Sequence, residues 1–147
     1  MSDQADSDPA LVFQSTIKRL AKAHAWQIEE ITGKKVSLKV QAESGNAYEL
    51  LVWRYDRNML LEFSVSAGLT FPSGEEVPHW LSTVMLERNA KMTVGFWCMQ
   101  KVDEKLTYAV IHNEEIGLLN SDYFGRIGRK LVEECDDMLD TLKQMES

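Results

Sequence analysis

The chain has 147 residues, and its 23 acidic side chains against 16 basic ones give a formal net charge of −7. That balance argues against a nucleic-acid binder, which needs a basic face to displace phosphate counterions. No run of about 18 apolar residues is present to span a membrane, and Met1 to Asp8 lacks the basic-then-apolar run of a secretory signal. A cytoplasmic protein is therefore expected.

A chain of this length most economically forms one domain and buries roughly 70% of the surface of its unfolded form. The sequence reads as a mobile acidic tail over residues 1–8 and a single domain over 9–147. Its two cysteines, Cys98 and Cys135, both lie in apolar patterns and read as reduced core thiols.

Asp8 and Pro9 make a helix start, and Phe13, Ile17, Leu20, His24, Ile28 and Ile31 follow at helical spacing. With Gly33 as the stop, they predict a first helix from Pro9 to Thr32, with Ala23 to Trp26 the place where it could bend or end. Three strands are then expected. Val36 to Ala42 alternates with period two, Tyr48 to Tyr55 is apolar on both faces, and Met59 to Val65 is mostly one-sided. Turns at Ser44-Gly45-Asn46 and Asp56-Arg57-Asn58 are too short for a parallel return, so these strands are antiparallel.

Ala67 to Val77 reads as a loop, carrying Leu69 and Phe71 with no periodic place for either. Ser73 with Glu76 fits a capping box for the second helix, but Pro78 would then fall past its first turn. A start at Val77 to Pro78 is preferred, with Trp80, Leu81, Val84 and Met85 as the buried stripe. Thr93 to Asn113 follows as a β-hairpin turning at Val102 to Lys105, apolar on both faces. Ser121 then caps a last helix of about 25 residues, whose Phe124, Leu131, Met138 and Met145 recur every seven positions.

The predicted fold is α+β: a single antiparallel five-stranded sheet packed with three helices in the order α-β-β-β-α-β-β-α. If the helices cover one face, the other exposes Trp53 and Tyr55 or Trp97 and Met99, and such large rings add up to an apolar patch that monomers seldom show. Either a helix wraps onto that face or a homodimer or partner segment covers it; the homodimer is preferred. Trp53, Tyr55, Trp97, Met99, Leu69 and Phe71 are accordingly the candidate partner-binding residues.

The residues give no catalytic, cofactor-binding or metal site. His24, His79 and His112 have no second histidine or cysteine at ligand spacing, and His112 with Glu114 and Glu115 is the best metal candidate. Cys98 in an apolar strand and Cys135 among carboxylates are poor nucleophiles. Gly125 and Gly128 inside a helix suggest close packing, and the adjacent carboxylate pairs read as solvated surface.

Several features together resemble the type III secretion chaperone-like superfamily, which includes the Tir chaperone family and the YbjN-like proteins. They are the element order, the strand Leu61-Glu62-Phe63-Ser64-Val65 before a proline-containing loop, and Leu86-Glu87-Arg88-Asn89 closing the second helix. Gly95-Phe96, Leu106-Thr107-Tyr108, Asp122-Tyr123-Phe124 and Asp136-Asp137-Met138-Leu139 complete the likeness. It implies a small acidic cytosolic protein without enzymatic activity or cofactor, often a homodimer. Such a protein holds an extended client segment in one branch and serves regulation in the other. A small-ligand regulator, in which the loop from Gly68 to Gly74 lids a pocket, is the alternative, and a hydrolase built on His112 a further one.

Overall fold

The structure, a computed structural model, describes residues 8–55, 59–72 and 77–146. The acidic tail over residues 1–7, the Asp56-Arg57-Asn58 turn and the Ser73/Glu76 capping box lie outside the described residues.

Helix α1, Pro9–Ala23, begins as its sequence directs: the Asp8 carboxylate accepts the Ala10 N–H at 3.0 Å, and Pro9 occupies the first turn. It buries Phe13, Ile17, Leu20 and Ala21 completely. The helix stops nine residues short of the expected Thr32. Ala25 takes a left-handed φ of +56°, the Trp26 N–H bonds the Ala21 carbonyl at 3.0 Å, and the Ala25 N–H bonds that of Lys22 at 3.1 Å. This is a Schellman ending built without glycine. The chain then turns back as strand β1, Gln27–Ile31, which the sequence reading took for helix.

Strands β2 (Lys35–Gln41) and β3 (Ala47–Arg54) fall where the period-two pattern puts them. Strand β4, Leu60–Pro72, runs through much of the segment expected to be a loop. A register shift between Ser66 and Thr70, with Gly68 at φ +73°, bends it without ending its pairing to β6. Helix α2 spans His79–Asn89, directly after Pro78. Strands β5 (Phe96–Val102) and β6 (Lys105–Glu115) join through Asp103 and Glu104, both at positive φ, as a two-residue hairpin turn requires. Helix α3, Ser121–Glu146, is capped by Asn120 and not by Ser121: the Asn120 Oδ1 accepts the Tyr123 N–H at 2.8 Å.

The fold is thus α+β with three helices and one antiparallel sheet, but the sheet has six strands, ordered β1-β2-β3-β4-β6-β5. Ile28, Leu38, Leu50, Val65, Val110 and Trp97 form one row across all six strands. This row and its neighbours Val36, Val52, Phe63 and Tyr108 face the helices and pack on Phe124, Ile127, Leu131 and Met138 of α3. The row beside it on the opposite face reads Glu30, Ser37, Leu51, Ser64, Ile111, Phe96. That face alternates polar and apolar residues and is not the apolar wall expected from the hairpin.

Two glycines in α3 set how closely the helix sits on the sheet. A side chain at Gly128 would meet the Trp26 ring at 2.5 Å, and one at Gly125 would run into the His24 ring. Both rings come from the turn after α1. His24 packs here, with its Nε2 2.7 Å from the Ser121 carbonyl.

Candidate functional site

Helix α3 is 26 residues long, about 39 Å at 1.5 Å per residue. Its apolar stripe continues beyond Met138, the last completely buried position, through Leu139 and Leu142 to Met145. This overhang, the β2–β3 turn, the tip of β4 and the start of α2 enclose an open groove of about 1380 Å³. Leu81 is buried in its floor, with half-buried Tyr48, Leu69, Phe71, Leu139 and Leu142 around it. Trp80 and Met145, 50% and 56% exposed, stand at its mouth.

The rim is acidic: six carboxylates line the groove against two lysines, Lys130 and Lys143. Several are fixed in place. Glu133 accepts the Glu43 N–H with both oxygens at 3.0 Å, tying the β2–β3 turn to α3. Asp136 accepts from the Asn46 amide at 3.0 Å and from the Tyr48 hydroxyl at 2.7 Å. The Asn46 and Tyr48 bonds hold the Asp136 carboxyl below the usual range, while burial and then the Asp136 bond push the Tyr48 phenol up. On the α2 side, Arg88 pairs with Glu134 at 2.6 Å and with Asp137 at 2.6 Å, and Glu134 also accepts the Trp97 indole N–H at 2.8 Å. The Glu43 and Asp140 side chains remain exposed to solvent.

The structure separates the residues proposed from sequence into three places. Leu69 and Phe71 lie in the groove, because the β4 extension carries them under α3. Trp53 and Tyr55, 39% and 44% exposed, lie on the helix-free face, where the Lys35 ammonium sits 5.3 Å from the Trp53 ring centroid. Trp97 and Met99 do not lie there. Their strand pairs with Val110 and Tyr108, so both point to the helix side, where Trp97 is only 4% exposed. Trp97 is a core residue held by Glu134, and it offers no surface to a partner. The apolar residues that do open on the helix-free face are Leu51, Phe96 and Val102.

Trp80 and Met145, which helical spacing puts in apolar stripes, line the groove together with Leu142. For the α3 residues the signal is a stripe that runs on past Met138, the last completely buried position.

Chemistry elsewhere is sparse. Tyr123 donates to Glu114 Oε2 at 2.5 Å, His112 Nε2 lies 3.3 Å from the same oxygen, and the Gly95 N–H donates to His112 Nδ1 at 3.1 Å. The Gly95 bond makes Nδ1 the acceptor and leaves the proton on Nε2, so this cluster clamps β6 to α3 through filled hydrogen bonds. Among the described residues, no group of three or more His, Cys, Asp or Glu is placed to hold a metal ion, and no helix is long and apolar enough to cross a membrane. Burial pushes the Cys135 thiol up to about 12, and burial with Glu62 nearby raises that of half-buried Cys98, so neither presents a thiolate. Among the described residues that line the groove there is no histidine and no cysteine.

No family model, curated protein or solved structure matches this chain. The element order quoted for the likeness to the type III secretion chaperone-like superfamily lacks strand β1, which the structure places after α1.

Proposed function

We propose that this chain is a non-catalytic protein-binding domain that holds a segment of a client protein in the groove under α3 and self-associates through its helix-free sheet face. The observation that carries the reading is the groove itself. At about 1380 Å³ and open along one side, it exceeds the ~300–1,000 Å³ of ordinary small-molecule pockets. Its floor is aliphatic and aromatic. The role is that implied by the chaperone-like resemblance.

Self-association would cover Leu51 and Trp53 on β3 and Phe96 on β5, which share the helix-free face with β4 and β6 between them. Light scattering after size exclusion at low micromolar concentration is expected to give a dimer, and Phe96→Glu a monomer with an unchanged melting temperature. A monomeric parent chain would refute the dimer. For the client, a photo-crosslinking residue at position 80 is expected to capture one protein that the same residue at exposed position 29 does not. Equal capture at both positions would refute the groove.

A second reading, a small-ligand regulator, is favoured by the β4 tip, because Leu69 and Phe71 wall the groove as a lid would. A metabolite screen by thermal shift tests it. A ligand that stabilises the parent chain but not Trp80→Ala would replace the client reading.

A further inference from the structure

Resting on the groove reading above, we infer that the client segment is basic and amphipathic: a stretch of about four helical turns whose apolar side chains enter the floor and whose Lys and Arg face the acidic rim. The length comes from the groove's α3 wall. Lining residues run from Lys130 to Met145, fifteen rises of 1.5 Å or about 22 Å, which a partner helix matches in about four turns. The apolar half follows from Leu81, Leu139, Leu142 and Phe71 beneath and from Trp80 standing exposed at the mouth.

The charge follows from the rim. Six carboxylates line the groove against two lysines, and Arg88 pairs with Glu134 and Asp137; the remaining Glu43, Glu133, Asp136 and Asp140 leave the α3 wall and the adjoining β2–β3 turn net negative, facing the apolar wall of β4 and α2. The bonds of Glu133 and Asp136 to uncharged donors fix these groups, so their field is in place before a partner arrives. An acidic segment would meet like charge along α3. A neutral segment would take water from Glu43 and from Asp140, whose Oδ2 accepts the Gln144 amide at 3.2 Å, and offer no charge in return.

The probe is a fluorescein-labelled peptide of Leu and Lys in an amphipathic helical pattern, followed by anisotropy against the full-length chain. Peptides of the same pattern with Gln or Glu in place of Lys serve as comparisons. The Lys peptide is expected to bind at least ten-fold tighter than the Gln peptide at low salt, with the advantage shrinking as salt shortens the screening length. Glu43→Lys with Asp140→Lys should weaken it about ten-fold. An equal charge change at Glu29→Lys with Glu30→Lys, on β1 away from the groove, should change it less than two-fold. Equal loss from both pairs of reversals would show attraction to an acidic chain as a whole and overturn the inference. Binding of the Gln peptide as tight as the Lys peptide, abolished by Trp80→Ala, would overturn the charge assignment and leave the groove reading standing. No binding by any of the three would overturn both.

Discussion

Gly128→Ala is the sharpest test of how α3 meets the sheet. In an uncrowded helix interior this change stabilises by about 1 kcal/mol, because alanine loses less backbone freedom than glycine on folding. Here the new methyl would stand 2.5 Å and 2.9 Å from two carbons of the Trp26 ring and 3.1 Å from Leu50 Cδ2, where ordinary carbon contacts lie near 3.5–4.0 Å. The ring has to retreat by about 1 Å. It is stacked on His24 at 5.1 Å and tilted against Phe124 at 5.5 Å between centroids, so its retreat moves both neighbours. Overpacking of this kind costs about 1–3 kcal/mol or somewhat more, and after the helix gain a net loss of about 2 kcal/mol is expected. For a domain of this size that lowers the melting temperature by roughly 4–8 °C. Urea unfolding followed by circular dichroism measures it. The cycle with Trp26→Leu isolates the cause: with the ring gone, Gly128→Ala should stabilise by about 1 kcal/mol, a coupling of about 3 kcal/mol between the two sites. A Gly128→Ala single variant more stable than the parent would show that the ring moves freely and that the close approach is not specified.

Ala25 sits at φ +56°, where a Cβ costs about 1–2 kcal/mol; Ala25→Gly removes that cost, gives back part of it as unfolded-state entropy, and should raise stability by about 0.5–1 kcal/mol in urea. Arg88→Met leaves Glu134 about one-sixth exposed beside Trp97 with its cation gone; with allowance for solvent screening, a loss of about 2 kcal/mol is expected, most of it recovered in Arg88→Met with Glu134→Gln, whose amide oxygen keeps an acceptor for the Trp97 indole. The Tyr123 hydroxyl, followed by His112, holds the Glu114 carboxyl below its ordinary value of 4.5. A depressed carboxylate contributes stability that is complete above its unfolded pKa and is lost as pH falls through the folded one. The stability difference between the parent chain and Glu114→Gln should therefore be constant near neutral pH and close below 4.5, as read from urea midpoints across a pH series.

Strands β2, β3, β5 and β6 are legible because their apolar periods are clean, and the starts of α2 and α3 because Pro78 and the Asn120-Ser121 pair mark them. Strand β1 was hidden by its bulge. The register shift between Ile28 and Glu30 lets two isoleucines three residues apart face the same side of a strand, and three is also a helical spacing. The end of α1 was hidden for a related reason: its αL residue is Ala25, and the usual marker there is glycine. Gly68 misled in the opposite sense, since it reads as a loop residue and serves as a bend inside β4. The inward placement of Trp97 depends on its cross-strand partner Val110 and on Glu134, 37 residues away. In a hairpin with apolar residues on both faces, nothing local decides which side meets the helices. Leu69 and Phe71 were found without a place, and the groove that gives them one is assembled from four elements distant in the chain.

The two uncovered surfaces lie on opposite sides of the sheet, and this constrains how the chain can assemble. Edge-to-edge pairing at β5 is obstructed at one position, where the Asn89 side chain accepts the Trp97 N–H at 2.5 Å and donates to the Trp97 carbonyl at 3.0 Å. At the other edge β1 has five residues, with exposed Glu29 and Glu30. The proposed self-association would then use the face that carries Leu51, Trp53 and Phe96. Two copies meeting there by a two-fold axis would point their α3 helices outward and leave both acid-rimmed grooves open. A client carrying two basic amphipathic segments would then gain avidity from the dimer that a monomer cannot provide. Phe96→Glu, by splitting the dimer, should weaken a linked two-segment peptide far more than a single-segment one. Equal weakening of the two would place the dimer contact in the groove and not on the sheet.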